Sequence, residues 1–336
     1  MQDAVAAGAV VYANTRVERV RIERGSAGSR KGVVRGVHAV ISHSAAGAAP
    51  GRALVVDAPL VVVAAGALRT PGVLARSGVD SPHLGKHLHL HPTSALSAEF
   101  LEPVDGWHGA MQTALCERFA DMEDGFGAVI EAAPTHPGLM ALALPWAGRD
   151  AHAATMNTAR NRATLISLAR DRDQGTVGTD ERADVHYQIA RDDAARLAEG
   201  LVAAAQIAFA AGAVSVTTLH ASPLRLDAEH ATPAGLQRFA RQIRLRVRTG
   251  DPVALFSAHQ MGTARMGAST DEGVVDPEGR VYGVDGLVVA DASAFPAASG
   301  VNPMLTIMAL AHRATSAVIA RGAASSSSGS PARSRS

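Results

Sequence analysis

The chain has 336 residues, enough to bury a full core in one or two domains. A hydrophobic content of 47% with a net charge of +1 is typical of a soluble globular protein, excludes a disordered chain, and gives no argument for nucleic acid as a partner. The single cysteine, Cys116, excludes an internal disulfide and favours a reducing compartment, so we expect a cytoplasmic location.

The amino terminus lacks a basic segment followed by a long apolar one, which predicts that there is no signal peptide. The nearest candidate for a membrane span is 201–219. Its Gln206 and its Ser and Thr residues favour a buried helix that runs into a strand instead. We therefore predict no transmembrane span, and an association with a membrane surface stays open.

The first part of the chain reads as a strand hairpin followed by a strand–turn–helix unit. The predicted elements are a helix end at 4–7, strands at 10–23, 33–42, 55–58 and 60–64, and a helix at 67–77. The run 60–64 is apolar throughout, which predicts a strand covered on both faces. Gly66 breaks it before the helix.

The middle of the chain alternates short strand-like runs with turns. The runs 162–171 and 185–189 suggest a long-looped hairpin, with Asp171, Asp173, Glu181 and Asp184 as solvated charges at its end. Helices are expected at 192–211 and 233–248. These patterns predict an antiparallel sheet with helices on one side.

A strand at 286–290 and a helix at 303–321 return the chain to its first domain. The expected fold class is then an incomplete α/β domain with a parallel-sheet core in three layers, followed by an α+β antiparallel-sheet domain. The predicted divisions are 1–93 and 251–322 for the first domain, 94–250 for the second, and a disordered tail at 323–336.

Three polar residues near the carboxyl terminus are candidates for a functional site. His259 lies in a turn with Gly262 and could be a loop histidine satisfied by backbone groups or a base that titrates near neutral pH. Asn302 precedes a proline at a helix start, as a helix N-cap does. Asp291 follows a buried strand, where it could form a turn or contact a ligand.

Four histidines cluster at positions 83, 87, 89 and 91. The last three alternate and would share one face of a strand, as metal ligands can. No carboxylate or thiol stands at convincing spacing, so we expect structural loop histidines and no metal, with His91 and Pro92 lining the site.

Several segments resemble the glucose–methanol–choline family of flavin oxidoreductases. They are HQMGTARMG (259–267), DASAFP (291–296), SGVNPMLTIMALAHR (299–313), TRVERV (15–20), VVVAAGALRTPGVLARSG (61–78) and LGKHLHLHP (84–92). The segments 125–146 and 166–177 are similar to the long-chain fatty alcohol oxidase branch. The Gly-x-Gly-x-x-Gly motif that binds the ADP half of FAD in this family is missing from the 336 residues.

The resemblance implies FAD as cofactor and assigns residues to it. The implied contacts are Val17 at the adenine, Ala65 and Gly66 near the adenosine, Asp291 and Ala292 along the ribityl–pyrophosphate, and Asn302 with Pro303 at the helix end facing the flavin ring. His259 is implied as the catalytic base and Asn302 as its partner, which holds the substrate oxygen.

The function implied is oxidation of long-chain primary alcohols to aldehydes. FAD would take the hydride at N5, with O₂ or another acceptor to reoxidise it. Two alternatives stay open because of the missing motif: a non-catalytic fragment, or one half of a split enzyme whose amino-terminal FAD-binding half is a separate chain.

Overall fold

The computed structural model describes residues 1–24, 31–42, 51–110 and 112–327, with the backbone alone for 321–327. Both ends of the described chain build one set of sheets, and its middle builds a larger antiparallel sheet. The predicted class, an α/β domain followed by an antiparallel-sheet domain, is confirmed.

The first part of the chain forms a hairpin and a short strand–helix unit. Its elements are α1 (Gln2–Ala6), β1 (Thr15–Arg24), β2 (Gly32–Ile41), β3 (Arg52–Asp57), β4 (Val61–Val63) and α2 (Thr70–Arg76). β2 pairs antiparallel with both β1 and β3. The prediction that β4 is covered on both faces is wrong, because Val62 is 42% exposed. The described residues cover Val62 only in part.

The middle of the chain forms a six-stranded antiparallel sheet with two long helices. Its elements are β5 (Thr93–Glu99), β6 (Leu115–Cys116), β7 (Ala128–Ala133), α3 (Pro137–Ala143), α4 (Arg149–Asn157), β8 (Arg162–Ala169), β9 (Thr176–Val177), β10 (Val185–His186), α5 (Arg191–Ala210), β11 (Ser215–Thr218), β12 (Arg225–Asp227) and α6 (Pro233–Thr249). The strand order is β12-β11-β5-β8-β7-β6.

The predicted hairpin between 162–171 and 185–189 is wrong. β8 lies between β5 and β7 and pairs antiparallel with both, whereas β10 pairs only with β9 inside the connecting loop. β8 is largely buried, so two neighbouring strands satisfy its backbone groups away from water. A pairing with the exposed, two-residue β10 could not do so.

Helix α5 packs closely on the sheet. Its buried residues include Leu197, Leu201, Ala204 and Ala208, which repeat at the spacing of one helix face. Gly200 lies on the same side, and a Cβ built there would approach Ser167 Oγ of β8 to 2.0 Å. The small residues of this helix therefore bring its backbone against β8.

The last part of the chain returns to the first. Its elements are β13 (Val284–Asp285), β14 (Leu287–Val289) and α7 (Met304–Ser327). β14 runs parallel to β4 and β13 runs parallel to β2, so strands from the two ends of the described chain pair. α7 extends into the segment predicted to be disordered, and 328–336 lie outside the described residues. Of the helices described, none has the length and apolar character to cross a membrane.

Candidate active site

The loop that carries His259 is fixed at both ends by backbone pairing. Thr93 and Phe256 exchange two backbone hydrogen bonds of 3.0 and 2.8 Å, and His89 and Met261 exchange two of 3.0 Å. The residues between these pairs bulge out of the ladder. His259 lies in this bulge, where its backbone N–H donates to Ser257 Oγ at 3.3 Å. Its ring is half-buried.

Gly262 allows the chain to pass close to the histidine segment. Its φ is +91°, and a Cβ built there would lie 2.3 Å from the carbonyl oxygen of His87. We expect Gly262→Ala to lower the free energy of unfolding by about 2–4 kcal/mol, because a strained φ and a steric clash add together. Urea unfolding measures this loss.

Gly212→Ala is the matched control. Gly212 has a φ of +92°, but a Cβ built there has no atom within 4 Å. This variant carries the cost of the backbone conformation alone. Equal losses for the two variants would contradict a close approach at Gly262.

His91 is the ring neighbour of His259. The two Nδ1 atoms lie 3.3 Å apart, and the rings meet edge to face with centroids 5.4 Å apart. Burial lowers the pKa of His259 and lowers that of His91 to about 4, so both rings are neutral at neutral pH. The backbone N–H of Gly300 donates to His91 Nε2 at 3.2 Å, which ties the ring to the turn before α7.

Asp171 anchors the turn that carries His91. Its Oδ2 accepts from the Leu90 N–H (2.9 Å) and the Tyr187 hydroxyl (3.1 Å), and its Oδ1 accepts from the His91 N–H (3.2 Å). The prediction of a solvated charge is wrong for Asp171, which has no exposed surface. It holds for Asp173, Glu181 and Asp184, which are exposed.

The pKa of Asp171 reflects these contacts. Burial raises it, but His89, whose Nδ1 lies 3.7 Å from Oδ2, and the Leu90 N–H outweigh burial, so that the net pKa is lowered. Burial and the neighbouring Asp171 also raise the pKa of Tyr187. Asp171 is therefore a carboxylate and Tyr187 a neutral donor.

The prediction that His87, His89 and His91 share one face of a strand is wrong. His87 and His91 have φ values of +60° and +48°, which are incompatible with a strand. Their rings go to different places: His87 contacts His83 and Gln174, and His89 is buried near Asp171. Among the described residues, no group of three or more potential ligands is placed to hold a metal.

Asn302 contacts the antiparallel sheet rather than the helix that follows it. Its Nδ2 lies 3.3 Å from Glu131 Oε2 on β7 and 3.4 Å from Gln112 Oε1. No described hydrogen bond joins its side chain to the first N–H groups of α7, so the N-cap interpretation is not observed. Glu131 and Gln112 were missed in the sequence. A lone glutamate inside the apolar run 128–133 was the available signal for Glu131.

Two of the residues predicted to hold the cofactor, Asp291 and Gly66, are hydrogen-bonded to each other. Asp291 Oδ2 accepts from the Gly66 N–H at 2.9 Å and from Thr70 Oγ1 at 2.6 Å, and its Oδ1 accepts from the Ser293 N–H at 2.7 Å. This carboxylate is therefore occupied within the protein. It joins the carboxyl ends of β4 and β14, the edge at which ligands bind in open α/β sheets.

Open space lies beside the Asp291–Gly66 contact. A Cβ built at Gly66 meets no atom within 4 Å. Val17 and Ala65 line one cavity of about 760 Å³ with Val62. The carbonyl of Ala292 accepts from the Gly262 N–H at 3.0 Å. The residues present thus leave room for a ligand at Val17 and Ala65 and beside Gly66, and direct contacts to it stay predictions.

A second cavity, of about 480 Å³, lies over the antiparallel sheet and has His259 in its wall. Its other walls are mostly apolar side chains of the sheet, of α3 and of the segment before His259. They include Ala95, Leu96, Ile166, Leu168, Leu139, Met140, Leu142, Leu219 and Phe256. Its polar side chains are Gln112, His259 and several serine and threonine hydroxyls, and most of its accessible wall is apolar. An apolar cavity with few polar groups is typical of a site for a small apolar ligand.

The sequence is similar to those of named oxidoreductases. It is 32% identical over 268 residues to Long-chain-alcohol oxidase FAO4A of Arabidopsis thaliana, covering 77% of this chain and 36% of that protein. It is 36% identical over 325 residues to the uncharacterized GMC-type oxidoreductase Rv0492c of Mycobacterium tuberculosis (strain ATCC 25618 / H37Rv), covering 96% of this chain and 47% of that protein. The chain thus spans less than half the length of these curated relatives.

Solved structures share the fold. Formate oxidase superposes with a TM-score of 0.63 at 17% identity, covering 91% of this chain and 60% of that one. Pyridoxine 4-oxidase from Mesorbium loti superposes with a TM-score of 0.60 at 19% identity, covering 89% and 56%. At these identities the likeness shows the fold alone.

Two family models match the chain. Both are described as GMC oxidoreductase, one for the amino-terminal part of the family at residues 1–93 and one for the carboxyl-terminal part at residues 158–311. The matched ranges make up most of the chain and include His259, Asn302 and Asp291. The chain therefore belongs to the GMC oxidoreductase family.

Proposed function

We propose that this chain carries the substrate cavity and the catalytic side chains of an FAD-dependent oxidoreductase that converts long-chain primary alcohols to aldehydes. The observation that carries the proposal is the apolar cavity with His259 in its wall. A saturated chain would bury apolar surface in the cavity, and its hydroxyl would meet the ring nitrogens of His259, the one histidine among the described residues of the wall. The relatives named long-chain-alcohol oxidase support this substrate class.

His259 would take the hydroxyl proton. Its pKa is lowered by burial, so the ring is neutral and able to accept a proton at neutral pH. Nδ1 faces His91, which leaves Nε2 for the substrate. The neighbouring His91 and Gly300 decide which of these two nitrogens holds the proton of the neutral ring.

The Gly300 N–H on His91 Nε2 places the proton of neutral His91 on Nδ1, from which it donates to His259 Nδ1. In that arrangement His259 keeps its own proton on Nε2. Acceptance of the hydroxyl proton at Nε2 then requires the opposite tautomers, with His259 donating to His91 and the Gly300 contact released. We propose this exchange for the substrate-bound state.

FAD would be held by Val17 and Ala65 at one end, by the backbone of Gly66 and Ala292 along the strand ends, and by the turn Asn302–Pro303 at the other end. When bound, FAD supplies the acceptor for the substrate hydride. The amino-terminal end of α7 carries partial positive charge and would stabilise an anion placed against it. Asp291 would act through Gly66, whose N–H it orients.

A second candidate is that this chain binds FAD only with further polypeptide, as a fragment or as one half of a split enzyme. The exposed apolar side chains favour it: Leu305 is 72% exposed and Met308 is 60% exposed on α7, and Val62 is exposed on β4. Val62 lines the same cavity as Val17 and Ala65, and Leu305 and Met308 follow Asn302 and Pro303 in the first turns of α7. Large exposed apolar surfaces commonly mark an interaction site.

An absorbance spectrum of the purified chain, alone and with added FAD, separates the two candidates. The first predicts bound flavin bands that bleach under anaerobic conditions with a long-chain alcohol and more slowly with a short one. The second predicts that the chain stays colourless with FAD and gains the bands only after a Gly-x-Gly-x-x-Gly partner is added. Bound flavin that no alcohol bleaches would contradict the proposed reaction. The return of the flavin bands on addition of O₂ or of another acceptor then identifies the electron acceptor.

A further inference from the structure

Glu131 is a buried carboxylate without a cationic partner among the described residues. It lies on β7 with 3% of its surface exposed, and the ion pairs found in the described part of the chain do not include it. Its Oε2 accepts from Gln112 Nε2 at 2.6 Å and from Asn302 Nδ2 at 3.3 Å. Two neutral amides are thus its only described hydrogen-bond donors.

Such a carboxylate is unfavourable for folding. Removing the charge from water costs free energy that neutral amides repay only in part, which is why burial raises the pKa of Glu131 while the Asn302 contact lowers it. A leucine in this apolar strand would avoid the cost. Glu131 does not line the apolar cavity itself, but its partner Gln112 does. Ionisable groups kept at such a cost beside a candidate site are candidates for functional roles.

We infer that Glu131 is a positioning residue that fixes the orientation of the Asn302 amide. A carboxylate can only accept, so it selects the rotamer in which Nδ2 faces β7. Both amide hydrogens then point to Glu131 Oε2 and Gln112 Oε1, and Oδ1 is left without a described partner. This inference rests on the proposed alcohol oxidation, with Asn302 in the role that the resemblance implies for it, at the substrate oxygen.

This orientation of the amide changes the chemical role expected for Asn302. From the sequence, its amide was expected to hold the developing alkoxide, which requires an N–H donor. With both hydrogens turned to the sheet, Asn302 offers a carbonyl oxygen. It would accept a hydrogen bond from the hydroxyl of the incoming alcohol, and the hydroxyl would then turn its hydrogen from Asn302 to His259 Nε2 before the proton is transferred. Asn302 would not stabilise the alkoxide.

Protonation of Glu131 would reverse this preference. A neutral carboxyl group can donate to Asn302 Oδ1, and the amide can then turn its N–H groups away from the sheet. The titratable neighbours are few. The amides of Asn302 and Gln112 do not titrate, and the described contacts of the titratable His91 and His259 do not include Glu131. The orientation of Asn302 should therefore follow the charge of Glu131.

The test compares wild type, Glu131→Gln and the exposed control Glu117→Gln, first in the chain without cofactor. The readout is the side-chain amide ¹⁵N resonance of Asn302, assigned by its loss in Asn302→Asp. We expect this resonance to shift with pH as Glu131 titrates in wild type and in Glu117→Gln, and to be independent of pH in Glu131→Gln. A resonance that does not move with pH in wild type would overturn the inference.

Stability gives a second readout, because Glu131→Gln is expected to be more stable than wild type at higher pH and yet less active. Because burial raises the pKa of Glu131 in the folded state, its contribution to stability is present below the unfolded pKa and is lost as the pH rises through the folded pKa. The urea midpoint of unfolding of Glu131→Gln should therefore rise relative to that of wild type as the pH rises. A purely structural acceptor predicts a lower midpoint for Glu131→Gln at every pH.

Activity completes the test where the wild type oxidises alcohol. We expect kcat/KM of Glu131→Gln to fall by about tenfold or more, since a neutral amide no longer selects one Asn302 rotamer. Unchanged kcat/KM in an active wild-type background would overturn the inference. A wild type that oxidises no alcohol contradicts the proposed function instead, and the resonance titration still decides the role of Glu131.

Discussion

Replacement of His259 by alanine is expected to slow alcohol oxidation by about 10²–10⁴-fold while the chain stays folded. That range is the usual contribution of a positioned acid–base group. His259 is half-buried, and its ring has one described polar partner, His91. The backbone pairs on both sides of its bulge do not involve its side chain, so the loop should keep its path in the variant.

The pH dependence gives an independent signature of the same residue. Burial lowers the pKa of His259, so a base at this position is active above a pKa that lies below the ordinary 6.5. Activity of wild type should therefore persist into mildly acidic buffer and fall once the pH passes below that pKa. The residual activity of His259→Ala should not show this fall in acid.

Rapid-reaction measurement of flavin bleaching by a long-chain alcohol tests both statements. His230→Ala is a suitable control, because His230 is an exposed histidine away from the cavity. Its rate and pH profile should match those of wild type. Wild-type bleaching kinetics in His259→Ala would remove the proton-accepting role from this residue.

The elements with strong periodicity were predicted correctly from the sequence, and the pairing of short strands was not. α5 and α6 have an apolar stripe at helical spacing, and β1 with β2 is a local hairpin, so nearby residues determine them. The apolar character of β8 also indicated a strand. Its neighbours are set by burial against β5 and β7, which lie far away in sequence, and a local pattern does not contain that information.

The same limit applies to the candidate site. Glycine spacing around His259 and the helix start after Asn302 were visible in the sequence. Glu131 was missed and Asp171 was wrongly predicted to be solvated, because their partners, Asn302 and the His91 turn, are 171 and 80 residues away. A buried acidic group is recognised by what it contacts. From the sequence alone Asp171 is indistinguishable from its exposed neighbour Asp173.

Asp171→Ala is expected to lower the free energy of unfolding by about 3–5 kcal/mol. The substitution leaves two backbone N–H groups and the Tyr187 hydroxyl buried without their acceptor, and each unsatisfied buried donor costs about 1–3 kcal/mol before the structure relaxes. Asp173→Ala removes the same charge two residues away at an exposed position. It should change stability by less than about 0.5 kcal/mol.

Lowering the pH of wild type should remove the contribution of Asp171 to the free energy of unfolding without a mutation. The pKa of Asp171 is lowered in the folded state, so its stabilising effect is present above the unfolded pKa and is lost as the pH falls through the folded pKa. In urea unfolding from pH 7 down to about pH 3, wild type and Asp173→Ala should lose stability that Asp171→Ala has already lost. The curves of wild type and Asp171→Ala should therefore converge in acid.

The site should respond together with the fold, because Asp171 holds the backbone N–H of His91 and His91 contacts His259. In Asp171→Ala the His91 turn loses its acceptor, and the ¹⁵N shifts of both histidine rings should change even where the chain is still folded. Asp171→Asn keeps one acceptor oxygen, so its ring shifts should lie between those of wild type and those of Asp171→Ala. Unchanged ring shifts in a destabilised Asp171→Ala would confine Asp171 to the core. Altered shifts would make the buried carboxylate the structural support of the residue proposed to accept the substrate proton.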